Sequence, residues 1–205
     1  MHEPYRRRLP HIMPPGETLF ITFRLHGTLP YALLEGLQLE HEAFLARQIV
    51  RTPHESVVAI KQQWEARYFL AIDTSLDADK IGSQWLSDET VAGIVKEAIH
   101  YRDNRQYIVH AYTIMPNHVH LLVTNTSEHK PFQQVLGSLK ANSAKRVNEY
   151  MDQPNQPFWQ AESYDHIVRN AKSFERIINY ILNNPVKAEL AENWEDWPHT
   201  YLKYK

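Results

Sequence analysis

Four side chains in this chain have the types and spacing of a reactive centre. His118 and His120 stand two apart in the run Thr113-Ile-Met-Pro-Asn-His-Val-His-Leu-Leu-Val123. Tyr180 and Asn184 stand four apart in an amphipathic segment. Alternation along a strand puts His118, His120 and Leu122 on one face and Val119, Leu121 and Val123 on the other. Residues i and i+2 of a strand lie roughly 6–7 Å apart, so two imidazoles can lean onto one metal ion. An imidazole is equally an ordinary hydrogen-bonding group, so the pair needs a third ligand and a reacting group to mean more. On a helix, Tyr180 and Asn184 share a face. An amide oxygen is a hard ligand, and two imidazoles with one amide oxygen suit Mn²⁺, or Mg²⁺ with waters. By themselves these two residues are better explained by a packed tyrosine and an Asn-Pro helix stop.

Elements that could hold these residues follow from the pattern. Thr18–Leu25 alternates and is rich in β-formers, so it is a strand ended by Gly27 and Pro30. Tyr31 to Arg51 and Ser56 to Tyr68 read as helices parted by Pro53, and residues 73–84 read as a polar, acidic loop. Asp88 to Arg102 is a helix with Ser87 as its N-cap. Gln106 to Ile114 is the strand before the histidines, and the Pro-Asn step is the turn between them. Phe132 to Met151 is a helix carrying Lys140, Lys145 and Arg146. Phe158 to Val168 reads as a loop entering a short strand. Ser173 to Asn184 is a helix, capped by Ser173 or Asn170, that kinks or ends before Pro185. The aromatic tail, Trp194 to Tyr204, packs back on the body. This order predicts an α+β fold of ferredoxin-like layout, an antiparallel sheet with helices on one face. Residues 1–205 form one domain, with a basic arm at 1–16 and a helical insertion at 29–85.

Composition narrows the class. The 205 residues allow one domain with a real core, and 43% hydrophobic content suits a soluble protein. No apolar run reaches a membrane span, and the N-terminus lacks the apolar stretch of a signal peptide, so a cytoplasmic location is the default. With no cysteine there are no disulfides or thiolate metal sites. A net charge of −2 makes any nucleic-acid surface a local one. Candidates for phosphate contacts are Arg6, Arg7 and Arg8 of the arm, with Lys140, Lys145, Arg169 and Lys187. Each also suits a plain solvated charge. Trp159 could stack on an unpaired base or pack in the core.

Met115-Pro-Asn-His-Val-His-Leu-Leu-Val123 resembles the His-hydrophobe-His motif of the single-tyrosine transposases, most closely the REP-associated tyrosine transposases. Tyr180-Ile-Leu-Asn-Asn-Pro-Val-Lys-Ala-Glu-Leu190 resembles their second motif, a helical tyrosine ahead of Asn-Pro-Val. Phe158-Trp-Gln, Tyr164-Asp-His-Ile-Val-Arg169 and Trp197-Pro198 add to the likeness, which runs from about Leu9 onward. The resemblance implies the ferredoxin-like palm of HUH endonucleases. It implies His118, His120 and Asn184 as ligands of Mg²⁺ or Mn²⁺, and Tyr180 as nucleophile. The implied substrate is single-stranded DNA beside short hairpins, and the usual assembly is a homodimer. Glu189 departs from the pattern, standing where the family usually has Gly.

Other chemistries fit parts of the pattern. A histidine-triad hydrolase would need a third His where Leu122 stands. A zinc hydrolase could draw its third ligand from Glu128 or His129. A domesticated hairpin-binding protein would keep the fold without cutting, and Tyr164 is the second candidate nucleophile.

Overall fold

The computed structural model describes residues 13–51, 57–78 and 82–203. The elements are β1 (Thr18–Leu25), α1 (Tyr31–Arg51), α2 (Val57–Ala78), α3 (Glu89–His100), β2 (Tyr107–Ile114), β3 (His118–Asn125), α4 (Phe132–Tyr150), β4 (Trp159–Val168), α5 (Ala171–Lys187) and β5 (Thr200–Leu202). The five strands form one sheet in the order β4-β1-β3-β2-β5, and every neighbouring pair is antiparallel. The α+β, ferredoxin-like layout is as expected, and β3, with the two histidines, lies in the middle of the sheet.

Alternation divides the sheet into two faces. Leu19, Ile21 and Phe23 of β1 and Val119, Leu121 and Val123 of β3 pack against Val91 and Val95 of α3 and Val135, Leu139 and Val147 of α4. On the opposite face, Phe20, Ala111, Leu122 and Val168 pack against Ile177 and Ile181 of α5. Helices therefore cover both faces and not one. The isoleucines of α5 need an apolar surface, and the second face, with Phe20 and Leu122, supplies it. The histidines share this second face, so α5 is laid directly over them.

Four boundaries differ from the sequence reading. The second helix runs to Ala78, and so includes residues assigned to a loop. Leu76 is buried and Asp73 wholly so, which makes this last stretch a face turned inward. β4 is a full ten-residue strand paired along β1, with a register shift between Phe23 and Leu25. α5 continues past Pro185 to Lys187, and its N-cap is Asn170, whose side chain accepts from Ser173 N at 2.8 Å. The cap of α3 is Asp88, one residue beyond Ser87, accepting from Val91 N at 3.0 Å.

α5 ends in a left-handed residue. Glu189 has φ 58°, Leu190 N donates to Pro185 O, and Glu189 N donates to Val186 O. These are the two bonds of a Schellman cap, whose left-handed position favours glycine. The departure at Glu189 therefore leaves the turn intact, at a conformational cost. The tail packs back as expected: Trp197 Nε1 donates to Ile114 O at 3.0 Å, and Tyr201 stacks on Tyr112 at 5.3 Å. Trp159 is a core residue, edge-on to Phe23 and donating to Ser143 Oγ at 2.9 Å.

Candidate metal and tyrosine site

The Pro-Asn turn at the start of β3 fixes the first histidine. Asn117 Nδ2 donates to Leu76 O at 2.9 Å, so its oxygen faces His118 Nδ1 at 2.7 Å and accepts from it. The lone pair of His118 then resides on Nε2. Thr22 Oγ1 lies 2.7 Å from His120 Nδ1 and can accept in the same way. Such outer bonds fix the tautomer of metal-bound histidines. The two Nε2 atoms face each other at 3.0 Å, and both rings are buried. His120 stacks on Phe20 at 5.7 Å, with Phe69 of α2 edge-on at 6.3 Å.

A third donor comes from α2. Asp73 Oδ1 lies 3.1 Å from His120 Nε2 and 4.0 Å from His118 Nε2. Three atoms so spaced sit on a circle of about 2.0 Å radius, the distance at which Mg²⁺ binds oxygen. Asp73, His118 and His120 can thus hold a metal ion, and they are the one such group among the described residues. Glu128 and His129 are exposed in the loop after β3 and lie outside this group. Leu122 packs against α5.

Tyr180 and Asn184 face the same place from α5. The Tyr180 hydroxyl donates to Asp73 Oδ2. Its ring is edge-on to Phe20 at 5.9 Å and to His120 at 5.3 Å. Asn184 is buried with neither amide atom hydrogen-bonded. A buried amide without partners is costly, and a bound cation or an anionic substrate would repay it. The donor chemistry therefore fits a divalent metal. With Asp73 among the donors, the set is not the all-neutral one that two histidines and an asparagine would make.

The protonation states follow from this packing. Burial, then the charge of Asp73 and the bond to it, push the Tyr180 hydroxyl far above its ordinary range. Burial raises the Asp73 carboxyl, but the His120 and His118 rings and the Tyr180 hydroxyl outweigh it and hold the group ionised. Burial and then the His120 ring keep His118 well below its usual value, hence neutral and able to ligate.

The expected phosphate-binding cations separate. Lys187, at the end of α5, is at the site, 2.8 Å from Asp77 Oδ2 and 3.8 Å from Asp73 Oδ2. Lys140 Nζ donates to Gln160 O and Ala161 O, tying α4 to β4. Lys145 is exposed and 3.8 Å from Glu149. Arg169 is exposed just after β4, where burial and then Arg169 and Arg176 lower the pKa of His166. Arg6, Arg7 and Arg8 lie outside the described residues. Tyr164 lies on β4, stacked on Phe69 at 4.4 Å. Asp73 is the site residue that sequence reasoning missed. Its signal was the helical spacing Phe69, Asp73, Leu76, Asp77, with an acid in a core-facing slot.

The sequence pattern described as "Transposase IS200 like" matches residues 79–184, just over half of the chain. The chain belongs to the IS200-like transposase family. Within it, similarity runs to REP-associated tyrosine transposases. One from Escherichia coli K12 is 26% identical over 100 residues, covering 49% of this chain and 57% of that protein. A Haemophilus influenzae protein provisionally given the same name is 26% identical over 98 residues, covering 44% and 56%. The chain thus spans little more than half the length of these curated relatives. A solved structure of a REP-associated tyrosine transposase bound to a REP hairpin superposes with a TM-score of 0.56 at 19% identity, covering 98% of this chain and 82% of that one. At that identity the likeness establishes the fold, and it extends beyond the matched stretch to α1 and α2. Among the described residues no helix of this chain is long and apolar enough to cross a membrane.

Proposed function

We propose that the chain is a metal-dependent single-tyrosine transposase that cuts and rejoins single-stranded DNA beside hairpins through a 5′-phosphotyrosine. The observation that carries this reading is one shared carboxylate. Asp73 faces two histidines whose free Nε2 atoms converge, and it also accepts the hydroxyl of Tyr180. A generic hydrolase needs the first half of that arrangement and has no use for the second.

His118, His120 and Asp73 would hold Mg²⁺ or Mn²⁺, with the unpartnered Asn184 amide as a fourth donor. Once bound, the metal would supply Lewis acidity to the scissile phosphate. Tyr180 Oη forms the bond to phosphorus as the bond to the 3′ oxygen breaks. The phenolic proton passes to solvent, the 3′ oxygen takes one up from solvent, and the 5′ phosphate stays on the tyrosine. Lys187, half-exposed beside the carboxylates, would neutralise the incoming backbone, and Arg169 and the basic arm would hold flanking phosphates. The same reading treats residues 1–205 as one domain, in which residues 29–85 lend an acid to the site.

Cleavage of single-stranded oligonucleotides bearing hairpins from the gene's flanks tests it. With Mn²⁺, wild type should nick the strand, while Tyr180→Phe and His120→Ala should not. Tight hairpin binding by wild type without any nick would favour the domesticated binding protein instead.

A further inference from the structure

α2 lies ahead of the stretch that the family pattern matches, which begins at residue 79, yet it reaches the centre of the site. We propose that Asp73 is a positioning residue for Tyr180, a single carboxylate that ties the nucleophile's hydroxyl to the histidine pair. The inference rests on the reading of Tyr180 as nucleophile.

The geometry of the carboxylate carries it. Oδ1 faces the histidine nitrogens, at 3.1 and 4.0 Å, and Oδ2 takes the Tyr180 hydroxyl, with Lys187 Nζ 3.8 Å away. The side chain is wholly buried, and a buried carboxylate is expensive unless its partners are well placed. For packing alone, an apolar residue would serve better at this slot.

The helix holds Asp73 from both sides. One turn before it, the Phe69 ring stacks on Tyr164 at 4.4 Å and meets Phe20 edge-on at 5.5 Å. One turn after it, Leu76 is buried and its carbonyl accepts from Asn117, the residue that orients His118. A further anchor is Asp77, 2.8 Å from Lys187. The acid is therefore a fixed point, and a tyrosine bonded to it cannot swing about χ1 away from the histidines. α5 places the backbone of Tyr180 and the Phe20, Phe69 and His120 rings flank its ring, so this bond is the one polar hold on the hydroxyl itself. Misplacement of a reacting atom by about 1 Å can cost on the order of 100-fold in rate.

Two measurements on the full chain test this. In the first, the chain is labelled with 3-fluorotyrosine, and the Tyr180 ¹⁹F resonance is assigned as the one missing from Tyr180→Phe. Asp73→Ala should shift and broaden that resonance and blunt its response to Mg²⁺, leaving most other tyrosines in place. In the second, covalent adduct formation on a hairpin oligonucleotide is timed with Mn²⁺ and DNA both raised to saturation. The Asp73→Ala rate should fall at least tenfold with hairpin affinity unchanged. Asp73→Asn, which keeps an acceptor oxygen and the shape, should recover part of the loss and guards against a folding defect in the alanine variant. A Tyr180 resonance and an adduct rate both unmoved by Asp73→Ala would overturn the inference while leaving Tyr180 as nucleophile. A faster rate would overturn it too, making the carboxylate an obstruction to the phosphate. An adduct that persists in Tyr180→Phe, or that wild type never forms, would overturn both readings.

Discussion

Removing one imidazole from the metal group should erase a stabilisation that is easily seen in the wild type. The donors sit on a circle of about 2.0 Å radius, the length of a metal–ligand bond, so an ion can enter with little rearrangement. They come from α2 and β3, remote in sequence, so the unfolded chain has no such site. An ion that binds only the native state at 100 times its Kd stabilises by about 2.7 kcal/mol. In a chain of this size each kcal/mol moves Tm by about 2–4 °C, so Mn²⁺ should raise Tm by about 5–10 °C. His118→Ala leaves His120 Nε2 and Asp73 Oδ1 without their third donor. If affinity falls by about 100-fold, the same Mn²⁺ only matches the new Kd, and stabilisation shrinks to about 0.4 kcal/mol. The shift should then be about 2 °C or less. The assay is thermal melting followed by circular dichroism after treatment with chelator, with and without Mn²⁺. His129→Ala, an exposed histidine outside the group, is the control and should keep the full shift. Equal shifts in wild type and His118→Ala, or none in wild type, would refute the reasoning.

Other expectations follow from single features. Glu189→Gly should stabilise the chain by about 1 kcal/mol, because the residue is left-handed at φ 58° and glycine carries no Cβ there; chemical denaturation reads this directly, and a loss of stability would contradict the cap. Asn184→Ala should weaken Mn²⁺ binding by ~10–100-fold, and an unchanged titration would leave Asn184 as a packing residue only. Ser143→Ala leaves the buried Trp159 indole N–H without its acceptor, so it should cost about 1–3 kcal/mol while leaving DNA cleavage intact. Acidification should destabilise the chain in chelator. His100, His110 and His199 all have lowered folded-state pKa values, chiefly through burial. The unfolded chain therefore takes up protons first, and stability present above pH of about 6.5 is lost as pH falls through and below it. A Tm that is flat from pH 7 to pH 5 would count against this.

Much of the fold could be read from the sequence because the pattern is local. β1 alternates cleanly and stops at Leu25, ahead of Gly27, and α1 is bracketed by Pro30 and Pro53, so both match their expected ends. The face shared by His118, His120 and Leu122 follows from the two-residue period of a strand. The longer α2 was hidden because Asp73 and Asp77 break the apolar repeat while facing inward. Their burial depends on histidines and a lysine supplied by distant segments, and no local pattern encodes that. β4 read short because its polar residues, such as the half-buried Glu162 and Asp165, obscure the alternation of an edge strand. α5 passes through Pro185 because only its last turn must tolerate the missing N–H, and the Schellman bonds then close that turn. Of the four site residues named from sequence, all converge on one face of the sheet. The fifth, Asp73, is legible only once α2 is laid across them.

The central claim is that Tyr180 becomes covalently bonded to DNA. Incubating the wild-type chain with Mn²⁺ and hairpin-bearing single-stranded DNA, trimming the DNA with nuclease, and sequencing the modified peptide by mass spectrometry tests it most directly. The account requires a nucleotide joined through its 5′ phosphate to Tyr180. A nucleotide on Tyr164, or an unmodified Tyr180 in a chain that has cut its DNA, would contradict it.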